Sequence, residues 1–421
     1  MLLSLKVNNC MIYNSEVEFS MRANMHYKRF PDNVVTTNGV NALKTAVLIG
    51  PNNSGKTNFV RILSTMKGLM LGTGTALKKN QFFDNPLVEA SISFWESGAE
   101  YLFEIKYDAV KHEYVFEHFA RIERDQYKNV KVVDLLIRDV RGKRYYAEDA
   151  GLDVAMKVAS RNNILIYLVD TEEFPCLRRI KDTIIAFASR IDVVDMNNIP
   201  IKKTIDMLKA SDETHQKVAN FVLNADLYLE DFKYLSDDDL KNDLQASDGE
   251  DIKPQENALS AAAPLVEMLH LASVYKGVTV RSMLYDSTGT KKMSALASYV
   301  IDAIENGRIL VIDELDNSLH FRLTRAIIAM FNNELNQNAQ LIATVHDVSL
   351  LDCQTLFRKE QIWFTHKDHE NAYLYSLSEF TTEKTGVRDS SDLIEKYKKG
   401  VFGALPEPDL FQSLLEVRQN G

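Results

Sequence analysis

The chain has 421 residues, 45% of them hydrophobic and 26% charged, which is roughly two or three domains' worth of material with a sizeable core. Its 49 Lys and Arg against 59 Asp and Glu give a formal net charge of −10, which excludes an open, sequence-independent grip on a phosphate backbone over the whole surface and leaves DNA to a local basic patch. No stretch approaches the ~20 apolar residues of a membrane helix, so secretion and membrane insertion are not expected and the cytoplasm is. From Leu2 to about Phe19 polar and apolar positions alternate as in a half-buried strand, and Lys44 to Ile49 is a nearly unbroken apolar run that reads as a buried one. Val88 to Ile122 alternates again, over three stretches that fit antiparallel strands with one buried face. From about 125 to 235 helical segments mix with short strands, and Lys203 to Asn224 has the spacing of a surface helix. Ser236 to Glu256 holds eight acidic and two basic residues with few apolar groups, the composition of a solvated linker. The remainder to about Phe380 alternates strand and helix. Cys10, Cys176 and Cys353 are scattered, with no CxxC pair, and are expected as buried reduced thiols.

Three segments carry chemistry. Gly50, Pro51, Asn52, Asn53, Ser54, Gly55, Lys56 and Thr57 satisfy GxxxxGK[ST], and the string stands after an apolar strand and before a helical stretch, Asn58 to Met66. Glycines there let the backbone turn tightly and aim N–H groups at phosphate oxygens, while the helix adds its positive end. Lys56 would reach the β- and γ-phosphates of ATP and Thr57 would hold Mg²⁺. Arg308 to Ile312 is an apolar strand that ends in Asp313 and Glu314, the Walker B pattern: Asp313 is placed for Mg²⁺ and Glu314, expected to point away from it by strand alternation, to polarise the attacking water. A third apolar run, Gln340 to Val345, ends in His346, which would hydrogen-bond a γ-phosphate or the lytic water, or serve structurally. Between the first two lies Asp286-Ser287-Thr288-Gly289-Thr290, opening a helix that Gly307 stops; the turn is an anion site or a plain N-cap.

In this order the strings GPNNSGKT, DSTGT, LVIDELDNSLH and TVHDVSLLD, with QIWFT and GVFGALP in the tail, resemble the ATP-binding-cassette head class found in the SMC, Rad50, RecF and OLD-type ATPases. They are similar to the bacterial AAA15 family ATPases, in particular the ATPase subunit of two-gene phage-defence modules of the AbiL and RloA kind. The resemblance implies an α/β fold: an ABC-type P-loop NTPase head with a mixed central sheet, an antiparallel β-lobe and a helical insertion. Its parts would be residues 1–124 with the P-loop and β-lobe, 125–275 as the insertion with the acidic linker 236–256, and 276–421 with the signature, Walker B and switch histidine. It implies a head-to-tail dimer or higher homo-oligomer, in which ATP on residues 50–58 of one copy is capped by Ser287, Thr288 and Gly289 of the other. Leu315 to His320 would be the D-loop, His346 the switch histidine, and Gln81 the glutamine-loop residue at the metal, or else a solvated loop residue. The signature departs from LSGGQ, which together with the large middle segment excludes a transporter subunit. The 75 residues after His346 are too few for an appended Toprim nuclease, and Lys367 to Asn371 reads as a hairpin turn. The expected function is therefore an ATP-hydrolysing switch of an anti-phage, abortive-infection system, controlling a separate effector such as an RloB-like or Toprim-type partner. The alternatives are a RecF- or Rad50-like ATPase acting on DNA, and an ATP-binding scaffold with little turnover.

Overall fold

The computed structural model describes residues 1–124, 130–225, 228–236, 267–368, 371–388 and 391–405. By its contacts the chain divides into two units, residues 1–189 with 342–421, and residues 190–341. The first unit is built on alternation. The strands β1 (Leu2–Asn8), β2 (Val17–Ser20), β3 (Val34–Thr37), β4 (Val40–Leu43) and β5 (Thr45–Ile49) come first, and β3 pairs with β4 as a hairpin. Then follow β6 (Leu87–Glu96), β7 (Ala99–Asp108), β8 (Glu113–Arg124), β9 (Val130–Asp139) and β10 (Arg144–Ala147). Among the described residues these form a seven-stranded antiparallel sheet in the order β10-β9-β8-β7-β6-β1-β2. Every second residue of β6 is buried, and Phe94 on that strand stacks on Phe187 with ring centroids 4.1 Å apart. Phe187 belongs to a helix over Pro175–Ala188, which also packs against the helix that follows β5.

Strand β5 is buried at all five positions, as a central strand covered on both faces must be. It lies between β16 (Gln340–Val345) and β17 (Ile362–Lys367), and β17 pairs with it in parallel, Trp363 opposite Leu48. β18 (Ala372–Ser376) closes this side as an antiparallel hairpin partner of β17, so parallel and antiparallel pairing mix in one layer. Residues 369 and 370 of the expected turn over Lys367 to Asn371 lie outside the described residues, as do most of the acidic linker and the end of the tail string.

The second unit holds a parallel pair, β11 (Ile191–Asp195) and β15 (Ile309–Asp313), with Asp195 opposite Asp313. A small antiparallel sheet, β12 (Asp231–Tyr234), β13 (Leu271–Tyr275) and β14 (Val278–Arg281), stands beside helices whose core includes Ile205, Leu208, Val218, Val222, Phe232 and Ala297. Tyr234 pairs with Leu271, and the Leu235 N–H donates to the His270 carbonyl at 2.7 Å.

The expected breaks at 124 and 275 are not where contacts thin. The first separates β8 from β9, which pair along most of their length, and the second falls between β13 and β14 of one sheet. The three expected strands from 88 to 122 are therefore part of a larger sheet that continues through β9 and β10, into the stretch read as an insertion. The single helix expected over Lys203 to Asn224 is two, over Lys202–Ala210 and Asp212–Leu223. Ser211 breaks it: its backbone is extended, and its hydroxyl accepts from the Thr214 N–H in a capping box. All three cysteines are free and buried, and burial pushes the Cys10 thiol up to about 12. No helix among the described residues is long and apolar enough to cross a membrane.

Candidate functional site

In the first unit β5 runs directly into the glycine-rich loop, and α1 (Lys56–Met70) leaves it. The helix forms because Phe59, Val60, Ile62, Leu63, Met66, Leu69 and Met70 recur at helical spacing and are buried. It starts two residues before the expected Asn58, with Gly55 as its cap at φ 114°, a backbone open to glycine. Asn53 also has a positive φ, 63°. Successive left- and right-handed residues turn backbone N–H groups toward one concavity, and the first N–H groups of a helix have no intrahelical acceptor. Lys56 is 5% exposed, and its ammonium donates to the Gly50 carbonyl at 2.6 Å and the Pro51 carbonyl at 3.0 Å, across the loop. The Lys56 Nζ also lies 3.5 Å from Nδ1 of His346, which follows β16. The lysine and the histidine expected at the site are thus side by side.

Thr365 on β17 fixes the loop from behind. Its hydroxyl shares a 2.6 Å hydrogen bond with Ser54, and a Cβ added to Gly50 would collide with the Thr365 carbonyl and hydroxyl oxygens. Gly50 is therefore required by a close backbone approach. Gly50→Ala is expected to cost about 1–3 kcal/mol by overpacking, read as a lower urea midpoint; an unchanged midpoint would mean that the loop is not pinned on Thr365. Gln81 stands exposed in the turn before β6.

In the second unit β15 delivers the two carboxylates. Asp313 is its last residue and only 6% exposed, and its carbonyl accepts from the Met196 N–H at 3.1 Å. Glu314 lies beyond the strand with φ 57°, so its direction is set by a left-handed backbone and not by the expected strand alternation. Its Oε2 accepts from the side-chain amides of Asn197 and Asn317, each at 3.0 Å. Asn317 belongs to the expected D-loop, which is a turn here with Ser318 at φ 63°.

The expected signature opens α7 (Thr288–Asn306), and Gly307 ends it at φ 61°. Ser287 is its N-cap and accepts from the Thr290 N–H at 3.1 Å, so the capping role is met. Among the described residues, three hydroxyls converge on the buried Asp286: Ser273 at 2.6 Å, Tyr275 at 2.8 Å and Ser282 at 2.6 Å. Burial, and then the Asp286 carboxylate, push the Tyr275 hydroxyl up to about 12, which keeps it a donor. The cap is so tied to β13. At its other side Gly289 lies under the Ser318 carbonyl, 2.9 Å from where a Cβ would stand, and Lys292 donates to the Asn317 carbonyl and Ser318 hydroxyl at 3.3 Å.

Residues 46–352 match the family described as "AAA domain, putative AbiEii toxin, Type IV TA system". The chain belongs to this family. The match runs from β5 past His346 and so includes the loop, the cap, the carboxylates and the histidine. Family membership makes the chain an AAA-type ATPase homologue; it does not reach the narrower AAA15, AbiL and RloA resemblance. Among solved structures the chain is similar to an SMC head bound to the C-terminal winged-helix domain of ScpA, with 12% identity, 91% of this chain and 99% of that one covered and a TM-score of 0.48. It is also similar to the SMC head domain from Thermotoga maritima, with 12% identity, 89% and 98% covered and a TM-score of 0.43. No curated protein matches the chain.

Sequence reasoning missed Thr365 and Asn197. Thr365 ends the QIWFT string, to which no role at the loop was attached, and the parallel register of β17 on β5 brings it there. Asn197 is 117 positions from Glu314 and comes near it because β11 and β15 pair.

Proposed function

We propose that this chain binds and hydrolyses ATP and works as a self-associating switch of an anti-phage, abortive-infection module, acting on a separate effector protein of the kind the RloA and AbiL resemblance implies. The reading is carried by the loop: a buried lysine lying across a glycine-pinned turn at a helix N-terminus, with a histidine beside it. The residues fit a phosphate chain, since Gly50 and Gly55 leave no room for side chains and Asn53 and Gly55 hold the left-handed backbone such a cradle needs. Thr57 and Asp313 offer the hard oxygen donors that Mg²⁺ takes. When bound, the triphosphate supplies the bond to be cleaved and Mg²⁺ neutralises charge on its oxygens.

Each residue then has a task. Lys56 exchanges its loop carbonyls for phosphate oxygens, and the first N–H groups of α1 donate to the same anion. Glu314 takes up a proton from the attacking water, and His346 orients that water or the terminal phosphate. Ser287, Thr288 and Gly289 of a second copy would close the site with the N-terminal end of α7, and Gln81, exposed in its turn, would offer the metal a further oxygen donor. The family description, with its toxin and type IV module, supports the defence setting. The test is ATP turnover by the purified chain with Mg²⁺, followed with its size in solution; no turnover above buffer would overturn the reading.

Ser287→Arg tests the cap. ATP binding should persist while ATP-driven self-association and turnover are lost, measured by light scattering after gel filtration. The lost cap costs about 1 kcal/mol, so Ser287→Ala serves as the folding control. Normal ATP-driven association of the Arg variant would remove residues 287–289 from the site.

A further inference from the structure

The hydrogen bonds of Asn197 lead away from its own turn. The backbone N–H of Asn197 donates to Asp195 Oδ1 at 2.8 Å, and its side-chain Nδ2 donates both to that same oxygen at 3.1 Å and to Glu314 Oε2 at 3.0 Å. Its Oδ1 accepts from Asn317 Nδ2 at 2.8 Å, and that nitrogen also donates to Glu314 Oε2. An amide has two N–H groups and one oxygen, and here all of them are engaged. One N–H of Asn197 goes to each of two carboxylates while its oxygen accepts, a combination that calls for an amide.

The base of the bridge is rigid. β11 and β15 are paired in register up to Asp195 and Asp313, and the Met196 N–H continues the pairing to the Asp313 carbonyl. Asn197 follows by one residue and Glu314 likewise, so the strand register fixes the distance between them. Asn197 is exposed and packs no core, so the bridge adds little to stability. What it bears on is where the Glu314 carboxylate points, since Oε2 takes a hydrogen bond from Asn197 on a side chain that leaves a left-handed backbone one residue past the strand.

We propose that Asn197 is a positioning residue for Glu314, holding its carboxylate in the orientation from which it takes a proton from water. This rests on the hydrolysis reading above, and a productive orientation within a fraction of an ångström is what general-base efficiency requires. Asn197 acts through Glu314 and touches no phosphate.

The experiment is steady-state ATP turnover of the full chain carrying Asn197→Ala or Asn197→Asp, each in the native and in the Glu314→Gln background. Asn197→Ala should lower kcat about 10-fold, equivalent to about 1.4 kcal/mol, with KM for ATP unchanged. Asn197→Asp should fall at least as far, because a carboxylate cannot donate and repels its neighbours. In the Glu314→Gln background neither substitution should lower the residual rate further, since the group it positions has already lost its function. A kcat for Asn197→Ala within twofold of native, a raised KM in place of a lowered kcat, or a further fall in the Glu314→Gln background overturns the proposal. If native turnover responds to Glu314→Gln but not to Asn197→Ala, this inference alone falls. If the native chain does not turn ATP over, the hydrolysis reading falls and takes this one with it.

Discussion

Glu314→Gln should slow ATP hydrolysis by about 10²–10⁴-fold, the range for losing a general base, while ATP still binds. The substitution is close to isosteric, and the glutamine oxygen can still accept from Asn197 and Asn317, so the geometry around residue 314 should survive. What disappears is the basic oxygen. Binding without turnover should trap the chain as an ATP-bound assembly, larger than the native protein under the same conditions. Single-turnover hydrolysis and light scattering read the two effects separately. A loss of less than about 10-fold would assign the base elsewhere, and a scaffold with little turnover would change neither its rate nor its size.

Lys56→Ala should remove ATP binding. The Lys56 ammonium is buried and held by the Gly50 and Pro51 carbonyls, so its positive charge sits at the centre of the loop. Without it the loop presents carbonyl oxygens to an incoming anion, and a charge-assisted contact to phosphate is lost as well. An affinity fall of about 100-fold corresponds to ~2.7 kcal/mol, within the ordinary worth of a charged hydrogen bond and its desolvated acceptors. Calorimetric titration with ATP measures it. Alanine is the best helix former, and residue 56 is the first of α1, so the fold should hold. Affinity within threefold of native would mean that the phosphates are held elsewhere.

The loop was legible in the sequence because its residues dictate their own backbone: glycine at 50 and 55, an apolar strand before them and a periodic helix after. The β6 to β8 strands were legible because burial alternates along them, most plainly on β6. β9 was not, since its first three residues are all exposed and its pairing slips between Phe119 and Ala120 of β8, which breaks the period-two signal. Two neighbouring helices looked like one because a capping serine costs a periodic pattern only a single position. Strand alternation does not govern Glu314, because the strand ends at Asp313 and the next residue is left-handed. Asn197 and Thr365 lay beyond local reasoning because each reaches its site through strand pairing across more than a hundred residues.

The pairing of Tyr234 with Leu271, locked by the Leu235 to His270 bond, brings two points of the chain side by side on neighbouring strands. Whatever joins them need only start and finish there. The entropic cost of a longer connection rises with the logarithm of its length, so each doubling adds only about 0.6 kcal/mol. This paired base is thus a place where an engineer can splice in a reporter domain while the hydroxyl clamp on Asp286 downstream keeps its footing.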